Sequence, residues 1–181
     1  LYPLHRLDRK TSGVLLLAKN RHEVAVFQSL FVQNKIQKTY YAIVRGHAPE
    51  SGVIDSPVKG RDANAYKEAC TVYKKLKEIT LPIPVHPYQN ARYSLLELKP
   101  TTGRLHQLRI HLNKISHPIV GDPKYGDRFH NRMFASNFKT PQLFLHALSL
   151  EFIHPITKGF VVVKASFPSH YTILHNLFKW S

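Results

Sequence analysis

The chain has 181 residues, 43% of them apolar and 11% aromatic, which suits one folded domain with a real core and argues against disorder. One cysteine excludes an internal disulfide framework and a Cys-rich zinc site, and no apolar run is long enough to cross a bilayer as a helix. Lys plus Arg number 26 against 11 acidic residues, a net charge of +15 that points to an anionic partner, most often nucleic acid.

The chain opens without a Met and soon reaches a dense polar motif, His5 to Gly13, so a segment N-terminal to it is expected to be missing. Gly13 to Ala18 is a short apolar run that reads as a buried strand. Asn20 and Glu23 have capping-box spacing, and Val24, Phe27, Leu30 and Phe31 recur at helical spacing, which predicts a helix over 21–34. Lys38 to Val44 is rich in Tyr, Ile and Val and predicts a strand. Gly52–Lys59 and Glu68–Tyr73 are further short strands, and the prolines of Leu81–Pro87 mark a loop. Arg92–Leu98 reads as a strand. Leu105, Leu108, Leu112 and Ile115 then fall on one helix face, ended by His117-Pro118. Residues 121–141 mix Gly, Asp, Asn, Arg and Pro and read as a polar insertion. Leu143–Phe152 and Phe160–Phe167 are strands, and Ile173 to Phe178 is a short helix. Strands dominate without regular βαβ alternation. The fold class is therefore α+β, a mainly antiparallel mixed sheet with flanking helices, in a single domain over 1–181.

The chemistry concentrates in the first motif. Asp8 sits between Arg6 and Arg9, and nearby cations favour an ionised carboxylate, which is a competent nucleophile when partly desolvated. A charged turn with Asp8 or Thr11 capping local backbone is the plainer alternative for a lone Asp-Arg pair. Arg109 borders the leucine face of its helix, where an arginine would be partly buried and would need an anion. His106 and His111 are five apart, a poor spacing for a shared metal, and no metal or cofactor site is expected.

The nonamer HRLDRKTSG resembles the HRLDxxTSG signature of RluA-type pseudouridine synthases. Lys38-Thr39-Tyr40-Tyr41-Ala42 resembles that family's KxYxA motif. Thr102 to His111 resembles its TGRxHQxRxH motif, and His117 to Asp122 its HPIxGD motif. Leu145-His146-Ala147 and His154-Pro155 match two further positions, all in the family's order. The resemblance implies the pseudouridine synthase catalytic fold, here without its N-terminal segment, and conversion of a uridine in RNA to pseudouridine without cofactor. It implies Asp8 as nucleophile, Tyr40 as the active-site tyrosine that stacks on the uracil or serves as a base, and Arg109 as the partner of Asp8. Tyr41, on the opposite strand face, takes the plainer role of a core tyrosine. Arg6 would fill the space left by an extruded base.

His5, Arg9, Thr11, Arg104, His106, Gln107, Arg128 and Arg132 are candidate RNA contacts, with Lys38 among further lysines that could meet phosphate. Gly121 to Phe134, with Ala91 to Leu95, is similar to the subgroup acting on uridine 65 of transfer RNA. The expected partner is thus tRNA, with ribosomal RNA as the alternative, for a cytoplasmic monomer with no membrane association. The rival readings are a non-catalytic basic RNA-binding module, for which Asp8 is dispensable, and a histidine-based RNA hydrolase, which would cleave the chain.

Overall fold

The computed structural model describes residues 1–60 and 65–180. The two-residue strands β1 (Tyr2–Pro3), β2 (Ser12–Gly13) and β3 (Leu17–Ala18) precede helix α1 (Val24–Val32). Then come β4 (Gln37–Arg45), β5 (Ser51–Asp55), and the short β6 (Val58–Lys59) and β7 (Tyr66–Lys67). The long strands β8 (Cys70–Leu81) and β9 (Ala91–Pro100) lead to helices α2 (Gln107–Lys114) and α3 (Arg128–Asn137). Strands β10 (Leu145–Ile153) and β11 (Phe160–Lys164) and helix α4 (Thr172–Phe178) complete the chain.

The main sheet runs β11-β10-β4-β9-β8-β5 with every neighbour antiparallel. Strand β2 joins it in parallel, on the edge of β10 that β11 occupies further along. The α+β, mainly antiparallel architecture read from the sequence is therefore the one observed. Strand β4 lies inside the sheet, and Ala42, Ile43 and Val44 are fully buried, so both of its faces are covered. Alternation sends Tyr41 against Phe167 and Trp180, while Tyr40 faces the other side. A second apolar cluster, including Leu4, Val14, Phe27 and Phe152, seats the N-terminal segment and α1 on β10.

Three local expectations are revised. Gly13–Ala18 is not one buried strand: β2 and β3 belong to different sheets, and Leu15 and Leu17 are exposed. The break follows from Gly13, whose φ of 119° no extended L-residue adopts readily and whose missing Cβ would collide with the Ala147 carbonyl. Asn20 and Glu23 make no capping box; a 3-10 turn spans Arg21–Glu23 and α1 starts after it. The strand expected over Glu68–Tyr73 extends through the charged run to Leu81, where Lys75 is neutralised by Glu50 and Glu78.

Residues 121–141, polar by composition, contain α3. Its N-cap Asp127 accepts hydrogen bonds from the Phe129 and His130 amides. The helix buries Met133 and Phe134, and Phe134 makes edge contacts with Tyr93 and Phe144. Tyr93 and His130 share a buried 2.6 Å hydrogen bond. Composition concealed this face because few apolar residues are needed to seat a short helix on a large core. Phe134→Ala is expected to cost about 3–5 kcal/mol, read from denaturant unfolding, whereas truncation on a merely superficial insertion would change stability by under about 0.5 kcal/mol.

Candidate active site

A cleft of about 740 Å³ opens between the His5–Thr11 segment, the start of β4 and the Thr102–Arg109 segment. The sheet registers explain why distant residues meet there. Ala147 of β10 pairs with Gly13 on one side and with Tyr40 on the other. Neighbouring strands lie roughly 5 Å apart, so Gly13 and Tyr40 stand about 10 Å from each other across β10. A register shift between Ala147 and Ser149 re-aims the strand at this point. The Asp8 loop hangs from β2. The Thr11 amide donates to the Asp8 carbonyl at 2.9 Å, Val14 N donates to Ala147 O at 2.9 Å, and Ser12 Oγ bonds His146 Nδ1 at 2.9 Å.

Arg109 is 7% exposed in α2 and spends its guanidinium on two carboxylates. Nε and Nη2 donate to the two oxygens of Asp122 at 2.7 and 2.9 Å, and Nη1 donates to Asp8 Oδ2 at 3.2 Å. The sequence reading paired Asp8 with Arg109 but also surrounded Asp8 with Arg6 and Arg9. Both of those arginines are exposed, and neither forms an ion pair among the described residues. The cation at the carboxylate is the one 101 residues away.

Asp122 is absent from the candidate residues above, although it lies in the His117–Asp122 motif. Its side chain is fully buried, and Oδ1 also accepts from the Lys124 and Tyr125 amides at 2.9 and 3.0 Å. Asn131 of α3 braces its turn by donating to the Asp122 carbonyl and accepting from Gly121 N. Burial pushes the Asp122 carboxyl up, but Arg109 and the two amides more than offset this and hold it below the usual carboxylate range. A scarce acidic residue inside a motif of a strongly basic chain was the signal available for it.

Tyr40 lines the same cleft. Burial, and then the Asp8 charge, raise its phenol to about 12, so it keeps its proton at neutral pH and is suited to stacking and donating. His106 is the left-handed residue at the start of α2, with φ 54°. Its Nδ1 meets the Tyr125 hydroxyl at 3.1 Å and its Nε2 lies 3.9 Å from Asp8. Desolvation lowers its pKa despite the Asp8 charge, which leaves it neutral at pH 7. The Tyr125 ring also packs over the Arg109 guanidinium, 5.1 Å from centroid to Cζ.

The other candidates divide by position. Arg6 and Arg104 are exposed on the cleft wall, and Thr11 lines it with a buried hydroxyl that has no partner among the described residues. Gln107 lines the cleft but is buried, and its amide bonds Thr102, Arg104, Cys70 and Thr71, fixing the turn before α2. His5 is half-buried on the cleft wall. Its Nε2 accepts from Leu16 N at 3.0 Å and its ring stacks on Phe31. Arg9, Arg128 and Arg132 are exposed outside the cleft wall, and Arg128 rests on Phe129. His111 is buried and bonded at both nitrogens, to Thr71 and Ser56, so it forms no reactive pair with His106. Among the described residues no group of three or more His, Cys, Asp or Glu is assembled for a metal ion.

The mixed sheet carries an aspartate–arginine pair in a cleft also lined by Arg6, Lys38 and Arg104, and comparison with known proteins gives the class. Residues 1–114 match the family described as RNA pseudouridylate synthase. A "tRNA pseudouridine synthase C" of Vibrio parahaemolyticus is 40% identical over 99% of this chain and 77% of its own length. The Haemophilus influenzae protein of the same name is 42% identical over 99% and 80%. Among solved structures, human RNA Pseudouridylate Synthase Domain Containing 4 superposes with a TM-score of 0.75 at 28% identity, covering 97% of this chain and 75% of that one. The chain belongs to the RNA pseudouridylate synthase family and is an isomerase of RNA uridine.

Asp122→Asn removes a charge from a buried pair and is expected to cost roughly 3 kcal/mol at pH 7, measured by urea unfolding. The pH dependence follows from the depressed carboxyl. Asp122 contributes fully above its unfolded pKa of about 4, and the contribution is lost as pH falls through the lower folded value. The variant should therefore show a flatter stability curve below about pH 4.

Proposed function

We propose that this chain converts a uridine of transfer RNA to pseudouridine, that the target is uridine 65 in the T-arm near the acceptor junction, and that Asp8 is the nucleophile. The observation that carries the reading is the Asp8 carboxylate held 3.2 Å from buried Arg109 in a cleft that also contains Tyr40. The names of the bacterial relatives support tRNA as the substrate class. In this reading the uridine leaves its stack and enters the cleft, and Arg6 at the wall fills the space behind it. Asp8 attacks as the N1–C1′ bond breaks. The uracil turns, C5 bonds to C1′ as the bond from C1′ to the Asp8 carboxylate breaks, and the C5 proton is lost while N1 gains one, so the isomerisation balances without oxidant or hydrolysis and Asp8 is regenerated. Tyr40 stacks on the ring and keeps its proton, while Arg109 keeps Asp8 oriented and anionic. The enzyme is proposed to act as a cytoplasmic monomer without cofactor; among the described residues no helix is long and apolar enough to cross a membrane.

The test is tritium release from unmodified tRNA labelled at uridine C5, with Asp8→Asn beside the unsubstituted chain. Release is expected from the latter alone, with a loss of at least about 10³-fold in Asp8→Asn while RNA binding persists. Near-normal turnover by the variant would overturn the aspartate mechanism. Mapping the product then tests position 65, and release from ribosomal RNA instead would move the substrate.

A further inference from the structure

We propose that Lys38 and Arg104, which flank the bare backbone at Gly103, form a phosphodiester-binding subsite in the cleft wall. It takes a phosphate adjoining the nucleotide that enters beside Tyr40. This rests on the reading of the cleft as an RNA site, and it names two residues and the part of the RNA they hold. Lys38 precedes Tyr40 by two positions on β4, so both face the cleft, about 7 Å apart along the strand. The Lys38 ammonium is half-buried, and its hydrogen bond goes to the Thr102 carbonyl at 3.1 Å. Arg104 donates from Nε to the Glu68 carbonyl at 3.0 Å, which orients the guanidinium. Among the described residues neither cation has an acidic partner. Gly103 places no side chain between them; a Cβ there would stand 3.5 Å from Lys38 Nζ.

The surroundings are wrong for an unpaired cation and right for an arriving anion. Burial, and then the Arg104 charge, lower the Lys38 ammonium to about 8. Strand β10 offers Leu150 opposite Lys38. The other titratable groups on the cleft are His5, which burial keeps neutral, Tyr40, which stays protonated, His106, and the cations Arg6 and Lys67. Among the described residues Asp8 is the carboxylate on the cleft wall, and Arg109 already holds it. A phosphate seated on Lys38 and Arg104 removes their mutual repulsion and completes the charge of both.

The experiment compares the unsubstituted chain, Lys38→Met and Lys38→Arg for binding to unmodified tRNA and to an unrelated RNA stem-loop, by fluorescence anisotropy across salt and from pH 7 to 9.5. The unsubstituted chain is expected to lose affinity as pH rises through about 8. Lys38→Arg keeps its charge and should keep its affinity across that range. Lys38→Met should bind both RNAs roughly tenfold more weakly, with a log–log salt slope smaller by about one, because a phosphate contact is blind to sequence. Equal affinity and slope in Lys38→Met, or a loss confined to one RNA, would overturn the subsite. Thermal unfolding checks the fold; if Lys38→Met does not fold, a pH-dependence in Lys38→Arg equal to that of the unsubstituted chain overturns it instead. Absence of tritium release from the unsubstituted chain, with the tenfold binding loss intact, would refute the proposed reaction and leave the subsite standing.

Discussion

One buried guanidinium organises the site. Arg109 sits in the core side of α2, where an uncompensated charge would cost several kcal/mol. Asp122 meets it with both oxygens, and the Nη1 nitrogen that this leaves reaches Asp8. The two carboxylates do different work because their surroundings differ. Asp122 is sealed and saturated by Arg109 and two amides, so it is structural. Asp8 accepts from Arg109 at the wall of an open cleft, so its second oxygen remains available to a substrate.

Support for that pair extends far into the fold. Asn131 holds the turn that carries Asp122, and Asp127 caps the same helix while binding Arg45 at the end of β4 at 2.6 Å. On the opposite side, β2 sets the height of the Asp8 loop by pairing with β10, where Gly13 permits contact with the Ala147 carbonyl. Strand β10 therefore acts as the ruler of the site, with the Asp8 loop on one edge and Tyr40 on the other. Small errors at either edge would move Asp8 relative to the aromatic ring, and catalysis is sensitive to displacements of that size.

Much of this was legible in the residues. The β-branched and aromatic run around Tyr40, the alternation ahead of Pro100 and the leucine spacing of α2 all produced elements of the expected type. The motifs carried Asp8, Tyr40 and Arg109 to one cleft. Other features misled for identifiable reasons. His111 looked like a reactive group because it is polar, but on α2 it turns inward, and with Gln107 it bonds the start of β8. The apolar run after Gly13 contained no sign that its chain would leave one sheet for another. The helix within residues 121–141 was hidden by the polar residues of its outer face.

The sequence by itself determined most of the element types, the strongly basic character, the family resemblance and the candidate aspartate. These are local properties, carried by periodicity, charge and contiguous motifs. The tertiary structure alone decided which cation meets Asp8, which carboxylate anchors that cation, and which polar side chains face the cleft. Those outcomes depend on sheet register and on desolvation, and both arise only when residues a hundred positions apart pack together. Arg6 and Arg9 adjoin Asp8 in the chain but project to solvent, whereas Arg109 is brought to it by the helix and cannot be buried without it and Asp122.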